Sequence, residues 1–408
     1  MKIVYLTDDF PPQSFGGAGI MAFNIAQVIK DKNHKVFIVT TTRKKEEEGV
    51  FEYEDLKLYK IYSNYHERWS AYVSLYNFLV VKKVRRILAE IKPDIVHAHN
   101  IHYHLSYYSL VIARKYAKGV FLTVHDAMSF AYGKVLNEAK VSSWELLRFA
   151  KFRFNPFRNI FVKIILNKYV DKIFAVSESL KMALVNNKIK NIEVIRNGIS
   201  TSNWSATPSE IKDFRDSLGI SLNMRIILFG GRLSGKKGGG AVIDALNIIV
   251  RKVPQSVLLI VGIKNEYTDK MIRYAKDLGL SKNVIFAGWI SRYQMKLVYS
   301  ISDVVTVASL YLDPFPTINL EAMASAKPVV GTIFGGTKEV VENEKTGYII
   351  DPNDKEKFAE KITELLLNEQ KSKRFGLAGR KRVGKFFTED AQIKKILFWY
   401  DKTYDQNN

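Results

Sequence analysis

Short apolar runs, each followed by a segment of helical periodicity, recur from one end of the chain to the other. In the first half they read KIVYL, KVFIV, DIVHA, VFLTV, KIFAV and IEVIR; in the second, RIILF, SVLLIV, NVIFA, DVVTVA and PVV. The runs are apolar throughout and do not alternate, as strands covered on both faces must be, and the alternation with helices is that of βαβ units. This pattern predicts parallel sheets flanked by helices, a class in which ligands lie beyond the carboxyl ends of the strands. The residues that follow strands are therefore the first candidates for function.

The rhythm stops between Arg196 and Asn223, where NGISTSNWSATPSE has the Gly, Ser, Asn and Pro content of a linker. With 408 residues the chain is long for one domain. We expect an N-terminal domain over 1–198, a linker over 199–223 and a C-terminal domain over 224–386. A last helix over 387–408 carries Ile393, Ile396, Leu397 and Tyr400 on one apolar stripe.

Composition excludes several classes. No apolar run has the length of a membrane-spanning helix, and MKIVYLTDDF leads straight into a strand pattern with no secretion signal, so a cytoplasmic location is expected. The sequence has no Cys, which removes disulfides and thiolate metal sites. A net charge of +21 implies an anionic partner: nucleic acid, acidic lipid or a phosphorylated small molecule. No nucleic-acid module signature is visible, and no nucleic-acid partner is expected. The segment Trp144 to Lys168 interleaves Arg148, Lys151, Arg153, Arg158 and Lys163 with Phe149, Phe152, Phe154, Phe157 and Phe161. It reads either as a membrane-facing surface or as two helices that bury their Phe residues.

Four strand-end motifs carry chemistry. GGAGIMAF offers Gly17, Gly19 and Ala22 as a dinucleotide fingerprint, but DDFPPQS intervenes after the strand and no acidic residue closes KVFIVTTT, so NAD is rejected. What survives is a glycine loop, Gly16 and Gly17, at a helix N-terminus suited to phosphate or a close-lying sugar. GGRLSGKK imitates a P-loop, yet Lys237 stands where a Mg²⁺-binding Ser or Thr is required. A glycine turn presenting Arg232 and Lys237 still suits a diphosphate without metal. HAHNIHYH gathers His97, His99, His102 and His104 without a neighbouring carboxylate, which favours a polar strand end over zinc. FLTVHD ends on His125, placed to donate to a substrate hydroxyl, with Asp126 as its orienting partner or as a helix cap; a structural histidine is the alternative.

The block DPFPTINLEAMASAKPVV joins strand, loop and helix. Pro316 marks the helix start, so the amides of Thr317 and Ile318 can receive a phosphate. Glu321 lies one turn in, on the face of Thr317, where it can accept from a vicinal diol such as a ribose, while Asp313 reaches another part of the same ligand. One helix cap plus one buried ion pair is the alternative reading of the same spacing.

Together these stretches, with AVSE, VIRNGI, FAGWI, GGTKEVV and TGYIIDPND, resemble the retaining, nucleotide-sugar-dependent glycosyltransferases of family 4 over nearly the whole chain. The resemblance implies the GT-B fold: two facing Rossmann-like domains, with the C-terminal helix crossing back to the N-terminal one. It implies that Arg232 and Lys237 bind the donor diphosphate, Glu321 the ribose, and the backbone at Trp289 and Ile290 the base. His125 and Asp313 would contact the donor sugar, and Gly16 and Gly17 would lie against phosphate or acceptor. The expected reaction moves a sugar from a UDP- or GDP-type donor to a glycan or lipid-linked hydroxyl, without metal or cofactor, in cell-surface polysaccharide or glycolipid synthesis. A peripheral station on an anionic membrane would suit that acceptor. The block departs from the family pattern in having Asp313 for the usual Glu and Pro316 for the usual Gly, which leaves donor identity open. A nucleotide-sugar epimerase on the same fold and a basic nucleic-acid-binding protein are the rival functions.

Overall fold

The apolar runs form strands because β-branched side chains fit a sheet buried on both faces. A computed structural model describes residues 1–12, 16–150, 155–202, 204–231 and 233–406. Its strands are β1 (Lys2–Thr7), β2 (Lys35–Thr42), β3 (Gly49–Tyr53), β4 (Leu56–Tyr62), β5 (Ile95–His99), β6 (Gly119–Val124), β7 (Lys172–Ala175) and β8 (Ile192–Val194). They continue with β9 (Arg225–Phe229), β10 (Ser256–Val261), β11 (Val284–Gly288), β12 (Val304–Val307), β13 (Val329–Thr332) and β14 (Gly347–Ile350). The chain divides into two units: Met1–Asn197 with Glu389–Asn408, and Gly198–Thr388.

The first unit is built on a sheet of order β3-β4-β2-β1-β5-β6-β7-β8. Every residue of β5 and β6 is buried. Pairing is parallel except at the edge, where β3 runs antiparallel to β4. Sequence reasoning passes over this hairpin because its turn, Glu54-Asp55, carries none of the usual Gly or Asn, although both residues take the positive φ of a tight two-residue turn (48° and 56°). The strand order reverses direction between β1 and β5, and the Asp8 carboxylate braces that point. It accepts from the backbone amides of Tyr103 (2.6 Å), His104 (3.0 Å) and Leu105 (2.7 Å). Burial pushes the Asp8 carboxyl up to about 7 against the pull of those amides.

The helix Glu389–Gln406 belongs to this first unit, in agreement with the expected return of the last helix. Its stripe is apolar for a reason that the sequence shows, since Ile393, Ile396 and Tyr400 are buried among Ile3, Ile95 and Phe121. A polar tie fixes the register: the Tyr400 hydroxyl lies 2.5 Å from His97 Nδ1 and 3.3 Å from the Tyr5 hydroxyl, while His97 Nε2 meets Thr123 Oγ1 at 2.7 Å.

The second unit has the order β11-β10-β9-β12-β13-β14, parallel throughout, with its switch between β9 and β12. Both loops that matter below leave the sheet at that switch. The span 199–223, expected as a linker, instead contains the helix Pro208–Ser217. Thr207 caps it with a full capping box to Glu210, Pro208 occupies its first turn, and Lys296 pairs with Glu210 at 3.1 Å. TPSE is itself a helix-start signature, which the Gly, Ser and Asn around it obscure.

Replacing Tyr400 tests the tie between the last helix and the first sheet. Tyr400→Ala should destabilise the first unit by about 3–5 kcal/mol, as aromatic truncation in a core does, and Tyr400→Phe by about 1–3 kcal/mol through the orphaned His97 nitrogen. Urea unfolding followed by circular dichroism gives both values, and a Tyr400→Phe midpoint equal to that of the wild type would contradict the role assigned to the hydroxyl.

Candidate functional site

Two glycines decide the shape of the loop between β9 and the helix Gly239–Ile249. A Cβ on Gly230 would stand 2.7 Å from the Thr306 carbonyl oxygen, and one on Gly238 only 2.0 Å from that of Ala308. Gly238 also has φ +79°. The loop therefore lies directly on the end of β12, and Leu310 N donates to Lys236 O at 2.8 Å to hold it there.

This contact delivers Lys237 to Asp313. Lys237 Nζ lies 2.5 Å from Asp313 Oδ2, and Ser309 Oγ donates to the same oxygen at 2.6 Å. The Asp313 side chain is only 7% exposed, that of Lys237 21%. Burial alone would lower the Lys237 pKa, but the Asp313 charge and the Tyr311 phenol outweigh it and hold the ammonium well above its usual value. The backbone of Asp313 is gripped as well. Gly336 N donates to Asp313 O at 2.9 Å, and Gly335, at φ +72°, leaves no room for a Cβ, which would lie 2.1 Å from that oxygen.

Pro316 caps the helix Thr317–Ala324 without a side-chain bond. Its first amides, those of Thr317 and Ile318, precede any carbonyl that could take them within the helix, so they face outward as donors. Glu321 lies one turn on. Its Oε2 accepts from the Tyr299 hydroxyl at 2.5 Å. Burial raises its pKa against the pull of Tyr299, Arg292 and the Thr317 hydroxyl. Lys237 on the loop after β9, Asp313 on the loop after β12, and Thr317, Ile318 and Glu321 on the helix that this second loop enters thus stand at one switch point. Trp289 and Ile290 follow β11 in the same unit, with Trp289 exposed. Arg232 lies outside the described residues.

In the first unit, Gly16 caps the helix Gly17–Asp31, and a Cβ at Gly16 would meet nothing within 4 Å. The histidines differ from the polar strand end expected of them, because their rings are buried: His97 and His99 are inaccessible, and His102 and His104 nearly so. Alternation along β5 puts His97 and His99 on one face, their rings 4.4 Å apart. His99 Nδ1 meets His125 Nε2 at 3.0 Å, and His104 Nδ1 meets Ser63 Oγ at 3.0 Å. Of the two parts expected of Asp126, the cap is the one seen, with Met128 N donating to it at 2.9 Å; its other oxygen faces His102 Nε2 at 3.4 Å, where His125 was the expected partner. Burial pushes the His125 pKa down to about 4, so at neutral pH its ring is uncharged.

Two family models divide the chain between them. "Glycosyltransferase Family 4" matches residues 15–203 and "Glycosyl transferases group 1" residues 210–382. The chain belongs to glycosyltransferase family 4. An uncharacterized glycosyltransferase of Methanocaldococcus jannaschii is 26% identical over 368 residues, 88% of this chain and 87% of that protein. Sucrose-phosphate synthase from Thermosynechococcus elongatus has a similar structure (TM-score 0.81, 20% identity, 100% of both chains covered). So has Anabaena HepE in complex with UDP-glucose (TM-score 0.76, 20% identity, 98% of this chain and 100% of that one). These likenesses establish the GT-B fold.

Sequence reasoning misses the braces of this glycosyltransferase. Ser309, Tyr299 and Gly335 hold Asp313 and Glu321 in place, and only Gly335, in GGTKEVV, lies in a stretch that the motifs single out. It also misplaces Arg158. The guanidinium is 1% exposed, bonded to Ser74 Oγ at 2.6 Å and Met128 O at 2.7 Å and set over the Tyr132 ring, so it belongs to the core and not to a basic surface. Lys151, Phe152, Arg153 and Phe154 lie outside the described residues.

The buried imidazoles give the first unit an acid-sensitive stability. Burial lowers His97 to about 3 and His125 to about 4, against 6.5 for the free side chain. Depressed folded-state values mean that the stabilisation is complete above pH 6.5 and is lost as pH falls toward 4. Unfolding free energies from urea titrations between pH 6 and 4.5 should fall with a slope that His125→Asn makes shallower by about 1 kcal/mol per pH unit. Parallel slopes for the two proteins would show that His125 is not held neutral by the fold.

Proposed function

We propose that the enzyme transfers a sugar, with retained configuration, from a nucleotide-diphosphate sugar to a hydroxyl of a glycan or lipid-linked acceptor, in polysaccharide or glycolipid synthesis. The observation that carries this reading is the row formed by Lys237, Asp313, the amide-bearing helix tip at Thr317 and Ile318, and Glu321. It provides a cation and free amides between two carboxylates, the order of charges that an elongated diphosphate donor requires. The UDP-glucose bound to Anabaena HepE is consistent with a donor of that class.

In this reading Lys237 and Arg232 bind the diphosphate with the amides of Thr317 and Ile318. Glu321, which keeps accepting capacity beyond Tyr299 and Thr317, takes the ribose hydroxyls, and the backbone at Trp289 and Ile290 takes the base. Asp313 and the neutral imidazole of His125 hold sugar hydroxyls, and Gly16 and Gly17 lie against phosphate or acceptor. During transfer the bond from C1 to the phosphate oxygen breaks and a bond from C1 to the acceptor oxygen forms on the same face. The acceptor proton passes to the departing phosphate. As charge gathers on that phosphate, Lys237, Arg232 and the helix tip stabilise it without calling on a divalent ion.

The acceptor half rests on a surface of the first unit. No described helix is long and apolar enough to cross a membrane. Yet Trp144 (81% exposed), Phe157 (62%) and Phe161 (48%) stand in solvent, with Ile160 and Ile164 also exposed. Tyr72, likewise exposed, lies on the short helix Ser70–Leu75 that packs against the helix Arg158–Tyr169, and the exposed Trp69 directly precedes it. Apolar side chains on a chain of net charge +21 suit the interface of an anionic bilayer, and we assign the enzyme a peripheral station there.

Two measurements test these halves separately. A nucleoside diphosphate of the correct base, at about a hundred times its Kd, should stabilise the second unit by about 2.7 kcal/mol in a thermal-shift assay. Lys237→Ala should abolish most of that gain, and no stabilisation by UDP, GDP or ADP would sink the donor reading. Sedimentation with phosphatidylglycerol vesicles should pellet the wild type at low salt, with a triple Trp144→Ser, Phe157→Ser, Phe161→Ser variant left in the supernatant. Equal sedimentation of the two would remove the membrane station.

A further inference from the structure

The Asp313 carboxylate is used unevenly. Oδ2 receives both Lys237 Nζ (2.5 Å) and Ser309 Oγ (2.6 Å), whereas Oδ1 makes no hydrogen bond among the described residues. The group is nearly buried and its backbone is clamped by Gly335 and Gly336, so it cannot swing out to water if its partner leaves. A buried carboxylate deprived of its cation is strongly unfavourable unless new donors reach it. Lys237 thus has two claimants, the carboxylate it holds here and the phosphate assigned to it above.

We propose that the Lys237–Asp313 pair is a latch that makes the site select an intact nucleotide sugar over the bare nucleoside diphosphate. The proposal rests on the donor reading of this site. A diphosphate draws the ammonium away from Asp313 and leaves the carboxylate short of a partner. A sugar attached to that diphosphate brings hydroxyls to Oδ1 and Oδ2 and restores the lost bonds. A nucleoside diphosphate alone brings none and bears the full cost of the exchange, so the spent product leaves more readily than the donor binds. Asp313 is then a specificity-determining residue and not only a contact. Its short side chain matters to this, because a carboxylate pinned by Ser309 in reach of Lys237 cannot follow the ammonium to the phosphate.

Isothermal titration calorimetry on the full chain tests the latch. The probes are whichever of UDP, GDP and ADP binds the wild type best, and the glucose or mannose ester of the same diphosphate. Asp313→Asn should bind the bare diphosphate about tenfold more tightly than the wild type while losing most of the preference for the nucleotide sugar. A cycle with Lys237→Met separates a latch from plain charge repulsion. With Lys237 removed, the gain from Asp313→Asn should fall to less than twofold, since no ammonium remains to be contested; repulsion would leave the gain intact in both backgrounds. If the wild type binds the diphosphate and Asp313→Asn binds it no better, or gains equally without Lys237, the latch is wrong and the donor reading stands. If the wild type binds neither probe for any of the three bases, both fall together.

Discussion

The close approach of two glycine-bearing loops to the end of β12 governs everything at this site. Gly238 lies on the Ala308 carbonyl and Gly335 on the backbone of Asp313, each at a separation that a single Cβ would forbid. Without those approaches Lys237 would stand in solvent as one more surface cation, and Asp313 would be a loop residue with ordinary freedom. With them, an ammonium and a carboxylate separated by 76 positions meet at 2.5 Å beside an open helix tip. The parallel sheet supplies the rest, because its strand order reverses between β9 and β12 and so opens space for a ligand at the carboxyl ends.

The first unit solves a similar problem by different means. Its own reversal, between β1 and β5, is closed by a carboxylate on three backbone amides, and the adjoining β5 carries histidines whose rings are buried and neutral. These rings act as hydrogen-bonding struts. His97 ties the sheet to the last helix through Tyr400, and His99 backs His125. A neutral His125 can hold a hydroxyl but is a poor base, and the transfer proposed above accordingly asks no proton of it.

Much of this was legible in the residues. The uniform apolar runs gave away buried parallel strands, and the spacing from Pro316 to Glu321 located a helix tip with a carboxylate one turn inside it. Lys237, singled out where a P-loop hydroxyl would stand, does leave β9 at the switch point of the second sheet. The pairings were not legible, since no local pattern states that Lys237 will meet Asp313 or that Tyr400 will reach His97 across 303 positions. Charge counted along a segment misled at Arg158, where Phe157 and Phe161 turn outward and the guanidinium turns in. Composition misled at Thr207 to Glu210, where a capping box sits inside a stretch with the residue content of a linker.

The central claim is that a diphosphate lies between Lys237 and the tip of the helix Thr317–Ala324. A crystal structure with the nucleoside diphosphate bound tests it most directly. Phosphate oxygens should then lie within hydrogen-bonding distance of Lys237 Nζ and of the Thr317 and Ile318 amides, with the ribose at Glu321. Density for the diphosphate elsewhere in the molecule, with Lys237 still seated on Asp313 and the helix tip bare, would contradict it.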